Sequence, residues 1–139
     1  MKWIGVSAAV LPLLVLALAT YVRIAPTNVE RWHRMPADLQ VADLDNGAVR
    51  IIEAGTDDLV RLDTIIRGTA RTQVLAGSVE AGMITYVTRS AAIGFPDYTT
   101  IRLRDGQIEI FGRARYGASD LGVNAARIDG WLDALAQRG

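Results

Sequence analysis

Asp97, Arg113, Arg115, Ser119, Asp120, Asn124 and Arg127 form a dense polar constellation in the last third of the chain. Arginine grips planar anions through paired N–H donors, and a helix N-terminus adds unpaired backbone N–H groups of the same polarity. Together these types suit an anion or polar head-group site. Arg113 and Arg115 alternate onto one strand face, with Phe111 among them. Asn124 and Arg127 share a helix face at i, i+3. The competing reading is structural: Asp97 and Asp120 neutralise two arginines and pin a strand-to-helix turn. In that network Asp97 is expected to accept from Arg113 or Arg115. Ser119 is expected to cap the last helix and Asp120 to complement its dipole.

Other chemistry finds little footing. The chain has no cysteine, hence no disulfide, thiolate nucleophile or zinc-thiolate site. The single histidine, His33, stands between arginine neighbours and reads as a solvated polar residue rather than a ligand. No Gly-x-Ser-x-Gly elbow or Gly-Lys-Ser/Thr phosphate loop occurs. Asp57-Asp58 is accounted for by a helix dipole, and Thr64, Thr69 and Thr72 have no evident base. No catalytic residue, metal ligand or cofactor is therefore assigned. Fifteen basic and 15 acidic residues cancel, and no basic stripe interleaves with aromatics, so nucleic acid is not an expected partner. Among the basic residues Lys2 alone is lysine.

The elements that must position these residues follow from pattern. Val49–Glu53 reads as a strand between glycines. Thr56-Asp57-Asp58 opens a helix near 57–67, with Leu59, Leu62 and Ile66 on one face and Gly68 at its end. Thr72–Ala76, Met83–Thr88, Thr99–Leu103 and Gln107–Arg115 are further strands, the last two joined by the hairpin dipeptide Asp105-Gly106. Leu121, Ala125, Ile128, Leu132 and Leu135 form a continuous stripe on a helix near 120–136. The fold class is α+β: an antiparallel sheet of about five strands backed by two helices.

Trp3 to Val22 spans 20 residues without a charge. As a helix it would reach about 30 Å, enough to cross a bilayer core. Lys2 and Arg23 bracket it, and Trp3 and Tyr21 sit at interfacial positions. Residues 1–23 are thus expected to be a transmembrane anchor. A cleaved signal peptide competes, because Ala17-Leu18-Ala19 has the small-x-small form. Residues 24–46, with Pro26 and Pro36, read as a tether in which Trp32 packs on the domain or the membrane surface. Residues 47–139 are the domain.

Gly94-Phe95-Pro96-Asp97 and the run Arg113 to Asn124, continued by Arg127-Ile128, carry a resemblance. They resemble the bacterial family called domain of unknown function 1499, where a Gly-Phe pair and aspartate precede a hairpin. An Arg-x-Arg strand end then leads into a Ser-Asp-Leu-Gly-x-Asn helix start. Many members carry a Pro-Asn-Cys-type motif near the domain start, which this cysteine-free chain lacks. The resemblance implies an envelope location and no established activity. Arg23, Arg31 and Arg34 alone would hold the domain in the cytoplasm. With the resemblance, the expectation is a single-pass inner-membrane protein with its domain in the periplasm.

Two functions are open. The first is a non-catalytic assembly module that docks another envelope protein on an open sheet face centred on Phe111, Arg113 and Arg115. The alternative is a small anionic-ligand or lipid head-group domain, less readily an enzyme, with its pocket between the sheet and the last helix. A concave pocket lined by Arg113 or Arg127 favours the alternative, and a flat exposed face favours the first.

Overall fold

Asp105 and Gly106 both take positive φ, 52° and 76°, which is the twist that a two-residue hairpin demands. They join β5 (Pro96–Arg104) to β6 (Gln107–Ala114) in the computed structural model, which describes residues 2–138 and, of these, the side chains of residues 8–138. The remaining elements are α1 (Lys2–Ile24), α2 (Val29–Trp32), β1 (Ala42–Leu44), β2 (Gly47–Glu53), α3 (Asp58–Arg67), β3 (Thr72–Ser78), β4 (Met83–Arg89) and α4 (Val123–Gln137). The fold is α+β, with one antiparallel sheet in the order β1-β2-β6-β5-β4-β3.

The sheet has six strands rather than about five. The extra strand, β1, comes from the segment expected to be a tether, and it pairs with β2 across Asp45-Asn46. Asp-Asn-Gly at 45–47 is itself a hairpin signal that pattern reading passed over.

From β2 the chain crosses the sheet through α3 to reach the far edge at β3. β3 to β6 then form a meander that returns to β2. α3 and α4 cover one face of this sheet. Leu59, Leu62 and Ile66 from α3 and Ile128 and Trp131 from α4 pack on Ile84, Tyr86, Ile101, Ile108 and Ile110. Leu132 is packed against this cluster, as a core stripe requires. α4 starts at Val123, three residues later than its apolar stripe suggests, because Leu121 and Gly122 both adopt positive φ and hold the chain out of the helix. α3 also lacks its expected hydroxyl cap: Asp57 precedes it in left-handed backbone, and Asp58 Oδ2 instead accepts from Gly55 N at 2.7 Å.

Residues 24–46 are no free tether. Residues 26–37 lie along the second sheet face, where Trp32 stacks on Tyr98 with centroids 4.3 Å apart and His33 Nδ1 is 2.8 Å from Thr85 Oγ1. His33 is therefore engaged with the sheet rather than free in solvent. Four arginines hold this strap by donating to its main-chain carbonyls: Arg115 to Pro26, Arg113 to Trp32, Arg102 to Pro36 and Arg104 to Ala37.

The expected transmembrane helix is not found: among the described residues no helix is long and apolar enough to cross a membrane. The apolar run begins within residues 1–7, whose side chains lie outside the described residues. Its other end does not stand off from the domain. Val22 is 1% exposed, its carbonyl accepts from Arg89 at 2.9 Å, and Arg23 donates to the carbonyl of Ile93.

Candidate functional site

The last turn of β6 and the approach to α4 set the geometry. Gly112 lets α4 lie close on the sheet: a Cβ there would stand 2.9 Å from Ile128 Cδ1 and 3.0 Å from Asn124 Oδ1. Asn124 is fully buried as a result. Its amide donates to Asp120 Oδ2 at 2.9 Å and its carbonyl oxygen accepts from Arg127 at 3.2 Å. Arg127 in turn donates to Asp97 Oδ2 at 3.1 Å. Asp97, Asp120, Asn124 and Arg127 are thus one connected chain of polar contacts.

Ser119 lines one cavity with Asp97, Asp120 and Arg127, but Arg113, Arg115 and Phe111 do not. Arg113, Arg115 and Phe111 point to the opposite sheet face, beneath the strap, because strand residues one apart alternate sides. Asp97 therefore does not meet Arg113 or Arg115, as the structural reading expected; its partner is Arg127. Ser119 does not cap α4 either. Its hydroxyl accepts from Leu121 N at 3.2 Å in an exposed turn, while Asp120 accepts from Gly122 N at 2.9 Å and Asn124 N at 3.0 Å. Asp120 thus takes the capping role.

Electrostatics separate the two carboxylates. Burial pushes the Asp97 carboxyl above the ordinary carboxylate range, with Arg127 pulling against it. Burial raises Asp120 as well, but the hydrogen bonds from Asn124 and Gly122 outweigh it and hold that carboxyl below the ordinary range. Beneath the strap, Arg113 is buried with no carboxylate beside it among the described residues. Its guanidinium lies 4.7 Å from the Phe111 ring centroid and 5.4 Å from that of Trp32, and it donates to Thr100 Oγ1 at 3.0 Å. Burial pushes its pKa down to about 10.

A cavity of about 600 Å³ opens between the β4–β5 end of the sheet and the start of α4. Phe95, Ala114, Tyr116 and Val123 supply apolar wall, and Asp97 and Arg127 supply its charged floor. The Tyr116 hydroxyl is shielded from solvent and has no hydrogen-bond partner among the described residues.

Arg71, Arg89 and Thr88 also line the cavity and were missed in the sequence. Their adjacency had a signal: Thr72 pairs with Thr88 across the β3–β4 hairpin, so Arg71 and Arg89 fall side by side at its open end.

The family model described as a protein of unknown function, DUF1499, matches residues 22–135, which spans the strap, all six strands and both core helices. No curated protein matches the chain. Because that match runs over most of the sequence and encloses the whole sheet, the chain belongs to the DUF1499 family.

Proposed function

We propose that this chain is a membrane-anchored envelope protein whose domain binds a small, largely apolar ligand with a polar or anionic end. The cavity between the sheet end and α4 carries the reading, with Asp97 and Arg127 in its floor and Phe95, Tyr116 and Val123 in its wall. Its size matches the range of small-molecule sites, and its make-up does too: mostly apolar, with a few convergent polar groups. The competing idea, a docking face centred on Phe111, Arg113 and Arg115, loses its surface because the chain's own strap lies over that face.

The anchor part of the proposal rests on α1. Leu11, Leu13, Leu14 and Leu16 are 61% to 66% exposed, and an exposed leucine array of that density calls for a lipid or protein cover. We place the domain on the periplasmic side of the inner membrane. A C-terminal alkaline phosphatase fusion is then active, and an inactive fusion reverses the sidedness.

For the ligand, a diazirine-bearing fatty acid is crosslinked to the full chain in detergent and the labels are mapped by mass spectrometry. Labels are expected on α1 and also on the segment from Tyr116 to Arg127. Val123→Trp, which fills the cavity, removes the second set and spares the first. Labels confined to α1 in the unaltered chain would defeat the ligand reading.

A further inference from the structure

A second recess of about 250 Å³ adjoins the cavity at the foot of α1. Arg23, Arg71 and Arg89 line it together, along with Gln73, Ser90 and Gly94. Each arginine is held by backbone alone. Arg23 donates to the carbonyls of Ile93 and Ala92, Arg71 Nε to Arg89 O at 3.0 Å, and Arg89 Nη1 to Val22 O and Gly94 O at 2.9 and 3.0 Å. Among the described residues none of the three meets a carboxylate, whereas Arg50, Arg61, Arg67, Arg102, Arg104 and Arg127 all do. Asp97, a carboxylate of the adjoining cavity, is already taken by Arg127.

Three guanidinium groups gathered around one recess repel one another, and folding has brought them together without a counter-charge. Two features of the backbone accommodate them there. Arg71 takes φ of 56°, a left-handed conformation that a side chain with a Cβ rarely adopts. Gly94 leaves room for Arg23: a Cβ at Gly94 would stand 2.8 Å from the Arg23 guanidinium carbon. Backbone-held guanidinium groups keep their remaining N–H donors for a tetrahedral or planar anion, and Arg71 engages only its Nε. Arg71, Arg89 and Ser90 also line the larger cavity, so the recess and the cavity are one continuous surface.

We infer that the Arg23, Arg71 and Arg89 recess binds a phosphate group, that of a phosphate ester whose apolar part lies in the adjoining cavity. The phosphate end stands on the arginine geometry, while the apolar end rests on the ligand reading proposed above. Arg23 directly follows the apolar run of α1, so with α1 in a bilayer the recess lies at the depth of lipid phosphates.

Thermal unfolding of the full chain in dodecyl maltoside tests this with three probes: inorganic phosphate, dihexanoyl phosphatidic acid and its phosphate-free counterpart, dihexanoylglycerol. Sodium chloride controls ionic strength. Both phosphate-bearing probes are expected to raise the midpoint, the lipid at lower concentration, and dihexanoylglycerol is not. Arg71→Gln and Arg23→Gln, at two exposed positions, each weaken binding about tenfold or more, the loss expected for a charged hydrogen-bond partner. Val123→Trp weakens the lipid and leaves inorganic phosphate unchanged. If inorganic phosphate and the lipid act alike in the unaltered chain, the recess stands for the free ion and the link to the cavity falls. If neither phosphate probe moves the midpoint, or both arginine variants respond like the unaltered chain, the phosphate site is refuted.

Discussion

The carboxylate of Asp97 meets the guanidinium of Arg127 at 3.1 Å, tying the start of β5 to the second turn of α4. Both side chains are about 15% exposed, so the pair is largely desolvated. Removing either partner strands the other. Asp97→Ala and Arg127→Ala are each expected to lower stability by about 2 kcal/mol, near the range for hydrogen bonds to charged groups. The double variant should lose less than the sum of the two. Additive losses in chemical denaturation would show that the pair is not coupled.

Asp120 caps α4 through two backbone contacts, and Ser119 makes none with the helix. Asp120→Ala is expected to cost about 1 kcal/mol or somewhat more, since Asn124 also loses a partner. Ser119→Ala should change the melting midpoint little. An equal loss in both variants would return the capping role to the serine.

The strap gives a third test. Arg113 donates to the carbonyl of Trp32 and stacks between aromatic rings, and among the described residues no carboxylate competes for it. Arg113→Ala is expected to free residues 26–37, so that trypsin cuts after Arg31 and Arg34 faster by about tenfold, as local opening becomes easier by roughly 1.4 kcal/mol. Arg115→Ala, at a less buried position, should accelerate cleavage less. Unchanged cleavage in Arg113→Ala would show that the strap is held by other contacts.

The two carboxylates of the turn should titrate on opposite sides of the ordinary value. Asp97 is raised by burial, so the folded state binds its proton more tightly than the unfolded chain, and its contribution to stability grows as pH falls through the folded pKa. Asp120 is lowered, so its contribution is present above the unfolded pKa of about 3.9 and is lost as pH falls through the folded pKa. Carboxyl-carbon NMR should place the Asp97 midpoint above that of Asp120. The stability loss in Asp120→Asn should shrink below about pH 4. A reversed order of midpoints would mean that solvent, not burial, governs Asp97.

Local pattern determined most of the elements. Period-two runs with β-branched residues located the five main strands within a few residues, and Asp105-Gly106 located the hairpin, because these signals depend on neighbours alone. The stripes Leu59-Leu62-Ile66 and Ile128-Leu132-Leu135 likewise told which helix faces meet the sheet. β1 was missed because three residues, two of them exposed, carry almost no periodicity, and its pairing on β2 comes from the sheet edge rather than from its own composition.

The site divides in the same way. That Asp97, Asp120, Asn124 and Arg127 are polar and close along the last third was legible. Tertiary structure decided their partners. Strand alternation sent Arg113 and Arg115 through the sheet to the far face, where the strap's carbonyls, not Asp97, receive them. The left-handed pair Leu121 and Gly122 delayed α4 by one turn and moved the cap from Ser119 to Asp120. The arginine recess joins residues 23, 71 and 89, which have no relation in sequence. Their meeting depends on α1 docking at the open end of the β3–β4 hairpin, a long-range packing event that no local pattern records.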